Sequence, residues 1–225
     1  VRRALDWLAT GPLIDGRPVA PRFLVGAGFA GALRPGLGVG AVVVAAEVAD
    51  TRGQRWQPGW PVDLHGLPAG RLLAVRKIVG SVVEKRRLGV SFQALAADME
   101  SAALARWATD RGTPFGCVRA VSDDAATPVS PRLLRVLIAG RVRPMRLAVE
   151  LVRSPGLLRH LYRLARQTRL AADRLASALA RLFGWPEPNA SAAAIVTAQR
   201  LTLATGEEAL RRSAPPAPST ADPAR

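Results

Sequence analysis

The stretch "AADMESAALARWATDRGTPFGCVRAVSDD", Ala96–Asp124, decides how the rest of this chain is read. It divides into an alanine-rich helix over 99–111 and an apolar strand, "FGCVRAVSD". Gly112 stops the helix and Pro114 prevents its continuation. Both elements carry acid where burial disfavours it. Asp98 and Glu100 flank Met99 at the helix start, and Asp123 and Asp124 close the strand. A helix N-terminus favours carboxylates through its macrodipole, and Asp98 can serve there as a cap. Asp123 reads either as a turn acid or as a site acid.

Upstream, residues 1–10 read as a helix ended by Gly11 and Pro12. "PRFLVGAG", "GAVVVAAEVAD" and "GRLLAVRKIV" read as strands, and "QALAAD" as a short one. Residues 51–70 carry Gly and Pro at turn spacing, and "VVEKRRLGVSF" reads as a short helix or loop. Pro131–Phe183 is helical in pattern, interrupted at Pro144 and near Ser154–Gly156. Alternating strands and helices, several strands nearly all apolar, predict an α/β protein with a covered sheet. The folded domain is expected over 1–185, with 131–183 its helical, arginine-rich part. Residues 186–225, rich in Pro, Ala and Ser near their end, read as a largely disordered tail. The chain opens in mid-pattern on an amphipathic helix, so an N-terminal portion is expected to be lacking.

Composition narrows the chemistry. Of 225 residues, 49% are hydrophobic, enough for one sizeable core. The single cysteine, Cys117, excludes an internal disulfide framework and a Cys-based zinc site, and fits a reducing, cytoplasmic compartment. With two histidines, His65 and His160, a His-rich metal site is not expected. No long uncharged apolar run suggests a membrane span, and "VRRALDWLATG" lacks the apolar core of a signal peptide. The net charge of +15 comes almost wholly from arginine, Lys77 and Lys85 being the only lysines. Such a bias can mark nucleic-acid or membrane binding. It also arises from G+C-rich coding DNA.

"GAGFAG", 26–31, matches G-x-G-x-x-G, with Glu47 and Asp50 about 20 residues on. A dinucleotide site needs a helix opening at those glycines. Pro35, Gly36, Gly38 and Gly40 forbid one, so the motif reads as a glycine turn between strands. The glycines then bring backbone close to a ligand, or serve a tight turn.

In open α/β sheets ligands sit at the carboxyl ends of strands. "QALAAD" ends at Asp98 and "FGCVRAVSD" at Asp123, so both acids are expected on one edge. A carboxylate can grip vicinal ribose hydroxyls, and a partly desolvated acid can protonate a leaving group. Cleavage of an N-glycosidic bond needs both.

Together "GFAGALRPGLGVGAVVVAAEV", "DMESAALAR" and "GTPFGCVRAVSDDA" resemble the nucleoside phosphorylase superfamily. The similar branch is that of the 5′-methylthioadenosine/S-adenosylhomocysteine nucleosidases and the hopanoid-associated phosphorylases. The resemblance runs over residues 1–183. It implies a three-layer α/β/α fold with a twisted mixed central sheet, here N-terminally incomplete, and an active site that splits a purine nucleoside. By the same resemblance Asp123 is the general acid that protonates the purine at N7. Glu100 holds the ribose hydroxyls, Met99 packs on the sugar, and Asp98 is the acid just before it. Phe29, Ala30 and Gly31 line sugar and base with backbone, and Ile78 and Val79 fall near the base. The family's water-activating acid or phosphate-binding groups lie in a first strand and glycine loop unmatched here. The resemblance therefore implies no cofactor, leaves inorganic phosphate open as a co-substrate, and predicts an unpaired sheet edge. It also implies a tendency to dimerise.

The segment 131–183 carries twelve arginines against Glu150 and Asp173, most resembling the hopanoid-associated branch. It reads either as a basic stretch lying on an anionic membrane or as a core-packing helix with a solvated arginine face. Three functions follow: cleavage of a 5′-substituted adenosine, action on an adenosine-linked lipid, or membrane-surface binding by an inactive homologue. Aromatic residues do not interleave the basic ones, so nucleic acid is not an expected partner.

Overall fold

The computed structural model describes residues 2–11, 13–14, 17–18, 20–60, 64, 66–129, 137–138, 141–142 and 157–185. The tail expected over 186–225 lies outside the described residues, as do His65 and the sequence breaks at Pro144 and 154–156.

The chain starts with α1 (Arg2–Ala9) and a two-residue hairpin, β1 (Leu13–Ile14) with β2 (Arg17–Pro18). Then come β3 (Leu24–Ala32), β4 (Val42–Asp50), β5 (Arg55–Trp56) and β6 (Ala69–Ala74). Next are α2 (Val82–Ser91), β7 (Ala94–Asp98), α3 (Ser101–Asp110) and β8 (Phe115–Asp123). A second hairpin, β9 (Leu137–Ile138) with β10 (Arg141–Val142), precedes the 27-residue helix α4 (Leu157–Phe183). That hairpin corrects the helical reading at 137–138 and 141–142. Gly140 and the β-branched residues around it weigh against helix there.

The main sheet is mixed, in the order β5-β4-β6-β7-β3-β8. Strand β8 pairs again with β4, Val42–Val44 opposite Val118–Ala120, so the ladder returns on itself. Among the described residues the sheet still ends on an edge strand, the two-residue β5, which pairs with β4 alone. The β4–β8 pairing satisfies, over those three residues of each strand, N–H and C=O groups that an open edge would leave exposed.

Alternation along the strands sorts side chains into two layers. Val43, Ala45, Leu72, Phe115 and Cys117 pack with Leu5 of α1 and with Leu104, Ala105 and Ala108 of α3. Val44, Val118 and Ala120 face the other way, onto Ala171, Leu175 and Leu182 of α4. Leu73 and Ala97 meet Leu88 of α2. The result is the expected three-layer α/β/α arrangement around a mixed sheet. The apolar residues of α4 from Ala171 to Phe183 pack in this core, while Arg163, Arg166, Arg169, Arg174 and Arg181 lie on its exposed positions.

The glycine motif is not a turn. Residues 26–31 lie inside β3, and the chain turns afterwards, across Leu33–Ala41. A strand is possible there because partners fill the space that the glycines leave. A Cβ on Gly26 would meet Leu104, and one on Gly28 would touch the Arg119 guanidinium. Glu47 and Asp50 have other partners. Glu47 accepts from Arg71 Nε and Gln57 Nε2, and Asp50 accepts from the Arg52 and Gln54 backbone N–H groups.

Candidate active site

The two acid-bearing strands do meet, but not as the sequence rule expected. Strands β3 and β8 are parallel, whereas β7 runs antiparallel to β3. Their carboxyl ends come together because β3 and β7 overlap only at those ends, Gly31 opposite Ala97 and Ala32 opposite Ala96. Gly31 also pairs with Asp123. One glycine thus stands between both acid-bearing strand ends.

A bulge decides which way Asp123 faces. Ala30 pairs with Val121 and Gly31 with Asp123, leaving Ser122 as the extra residue. Regular alternation would place Asp123 with Cys117 and Arg119, on the α3 side. The inserted residue switches it to the α2 side, as bulges re-aim side chains elsewhere.

Asp98 is fully committed within the protein. Its Oδ1 accepts from the Ser101 hydroxyl at 2.7 Å and from the backbone N–H groups of Ser101 and Glu100. Its Oδ2 accepts from Arg119 Nε. Asp98 therefore tethers the start of α3, although Glu100 occupies the cap position and makes no side-chain cap bond. Burial works against the Arg119 charge, but the neighbouring Asp98 carboxylate outweighs it and holds the guanidinium pKa above its ordinary value. Arg119 also donates to the carbonyls of Gly26 and Val118. Beside this pair, burial pushes the Cys117 thiol up to about 12, Arg119 opposing and Asp98 reinforcing the shift. Such a thiol is inert at neutral pH.

Asp123 has a different setting. Its Oδ1 accepts from the Ser122 hydroxyl at 2.8 Å, and its Oδ2 accepts from Lys85 Nζ at 2.6 Å. Its side chain stays 22% exposed, against 1% for Lys85. Lys85 rises from α2, whose start is capped by the Ser81 hydroxyl accepting from Glu84 N–H. Asp124 binds its own loop, accepting from Thr127 and Ala126. Slight burial would raise the Asp124 pKa, but those hydrogen bonds and nearby Lys85 outweigh it and lower it.

A cavity of about 190 Å³ opens at this crossing. Gly31, Ile78, Val79, Asp98, Met99 and Asp123 line it, so six of the residues singled out in the sequence are brought together. The other three are not among its lining residues. Phe29 packs against the α4 layer and Ala30 is buried in the α3 layer. Glu100 is exposed, its carboxylate accepting from Met99 N–H at 3.3 Å. Met99 is 38% exposed. The sequence reading missed Lys85, Ser122 and Arg119. Lys85 left one signal, being one of two lysines in a chain that otherwise uses arginine.

Comparison with known proteins bears on the same region. A family model described as the phosphorylase superfamily matches residues 62–153, in agreement with the resemblance of the motifs. No curated protein matches the chain. Among solved structures, a putative methylthioadenosine nucleosidase from Weissella paramesenteroides is 25% identical, covering 55% of this chain and 64% of that one, with a TM-score of 0.47. The Helicobacter pylori 5′-methylthioadenosine/S-adenosylhomocysteine nucleosidase is 20% identical, covering 55% and 61%, with a TM-score of 0.45. The futalosine hydrolase of Helicobacter pylori gives 20%, 55%, 60% and 0.45 in the same order. The chain spans less than two thirds of the length of each of these proteins.

Proposed function

We propose that this chain carries the base-side half of a site that cleaves the N-glycosidic bond of a purine nucleoside, with a 5′-substituted adenosine as substrate. The observation that supports it best is the aim of Asp123. A bulge turns its partly exposed carboxyl into a cavity walled largely by Leu33, Val75, Ile78, Val79 and Met99. Apolar walls suit a purine, and a partly exposed carboxyl among them suits proton donation to N7 as the base departs. Met99 would pack on the sugar. Glu100, exposed beside it at the start of α3, would turn its carboxylate to the ribose hydroxyls. Asp98 would act by holding that turn rather than by touching substrate. Water and inorganic phosphate are both candidate acceptors of the ribosyl group.

The test is release of adenine from methylthioadenosine and S-adenosylhomocysteine, by the 225-residue chain and by the longest reading frame containing it. Cleavage by neither would overturn the proposal. Asp123→Asn should lower turnover by about 100-fold or more while circular dichroism stays that of the parent. Undiminished turnover would remove Asp123 from its role.

A second reading concerns the 5′ substituent. A groove of about 1120 Å³ shares Leu33 with the site cavity and is lined by Leu37, Val82, Val90 and Ala125 among others. A long apolar 5′ group, as in an adenosine-linked lipid, would fit there. Adenosines with short and long 5′-alkyl chains would distinguish the readings: a kcat/KM that rises with chain length supports the lipid, and one that falls refutes it.

A further inference from the structure

Lys85 is buried to 1% exposure, with Asp98 and Arg119 one of three buried charged residues among those described. An ammonium has three N–H donors. All three are used: on Asp123 Oδ2 at 2.6 Å, on the Asp124 carbonyl at 2.6 Å and on the Thr127 carbonyl at 3.0 Å. Burying an ammonium is unfavourable unless it is paired and hydrogen-bonded, so a structural need for positive charge is met here. Arginine, which this chain uses at nearly every other basic position, would supply charge and more hydrogen bonds. It would also keep its proton throughout, whereas a lysine can give one up. Lys85 lines the same cavity as Asp123.

We propose that Lys85 is the proton reservoir behind Asp123, so that the pair, rather than Asp123 alone, supplies the proton taken by the leaving base. The inference deepens the proposed glycosidic cleavage and rests on it. As the C1′–N9 bond breaks, its electron pair goes to the purine. A proton crosses from Lys85 Nζ to Asp123 Oδ2 and passes from that carboxyl to N7. The base gains one proton and the pair loses one, ending as a carboxylate and a neutral amine. The acceptor then adds to C1′, water releasing its proton to solvent, and the pair regains its proton from solvent through Asp123. Lys85 acts through Asp123, as a positioning and relay residue.

The experiment compares the full chain with Lys85→Met and Lys85→Arg on two substrates. One is methylthioadenosine, whose base leaves protonated. The other is the p-nitrophenyl 5-methylthioriboside, whose leaving group departs as an anion. Both variants should lose about 100-fold or more in kcat on methylthioadenosine and about tenfold or less on the p-nitrophenyl riboside. Equal losses on both substrates would overturn the relay, as would wild-type turnover of methylthioadenosine by Lys85→Arg. If melting shows that Lys85→Met does not fold, the charge-conserving Lys85→Arg carries the test. A wild-type chain that cleaves neither substrate overturns the glycosidase reading and this inference with it. A wild-type chain active on both, with variants impaired equally on both, overturns this inference alone.

Discussion

Asp98 and Asp123 are chemically identical side chains placed in opposite settings by their neighbours. Asp98 is saturated by Arg119 and Ser101 inside the protein, with its side chain at 0% exposure. Breaking such a buried pair strands the remaining charge, at a cost of about 3–5 kcal/mol. Arg119→Met should therefore lose stability on that scale in urea unfolding, and a loss below about 1 kcal/mol would show the pair to be dispensable. The sequence exposed both acids and their order, because each stands at an element boundary. It did not expose their division of labour, since Arg119 lies twenty-one residues from Asp98 and looks like one more member of an arginine-rich composition. Lys85 was hidden likewise. Its grip on Asp123 spans thirty-eight residues and depends on a bulge that no local pattern announces.

At the scale of elements, α2 sits where it does because of Gly89. Replacing a helical glycine by alanine ordinarily stabilises by about 1 kcal/mol. Here the new Cβ would stand 2.5 Å from the Leu33 backbone carbonyl, which cannot rotate away. Overpacking of about 1–3 kcal/mol should win, so Gly89→Ala is expected to lower the melting temperature, and a rise would show that α2 can shift. The loop after β8 responds to pH instead. The folded Asp124 pKa is lowered, so its contribution is complete above the ordinary value of 3.8 and fades as pH falls through the folded one. The stability gap between the parent and Asp124→Asn should accordingly narrow below about pH 4, and a constant gap would dissociate Asp124 from the loop's stability. Strand β8 and helix α3 were legible within a residue or two, because Gly112, Pro114 and the flanking acids punctuate them. The antiparallel meeting of β7 and β3 was not, because strand direction follows from tertiary pairing rather than from local residue pattern.

For the whole molecule, the decisive facts are the returning ladder and the placement of charge. Strand β4 is held by β6, by β5 and, at Val42–Val44, by β8. The described arginines of α4 lie on exposed positions, while its apolar residues from Ala171 to Phe183 pack on the sheet. A membrane-surface helix needs such residues for lipid. The chain is therefore expected to stay in solution with zwitterionic vesicles and to leave anionic ones as salt rises, in a sedimentation assay. Pelleting with zwitterionic vesicles would show an apolar membrane face elsewhere. Among the described residues, no helix is long and apolar enough to cross a membrane.

Strand β3 finally inverts the motif that it imitates. In a dinucleotide fingerprint the middle glycine clears a path for pyrophosphate. Here the middle position, Gly28, is the roomiest of the three, with a Cβ meeting its neighbours at an ordinary 3.8 Å. At Gly26 a Cβ would press on the end of Leu104 at 2.7 Å, a side chain that can yield. At Gly31 it would come within 2.9 Å of the Asp123 carboxylate and press on a group that lines the cavity. The strand is a mould, and its three blanks record an apolar side chain, a guanidinium and an acid rather than a phosphate.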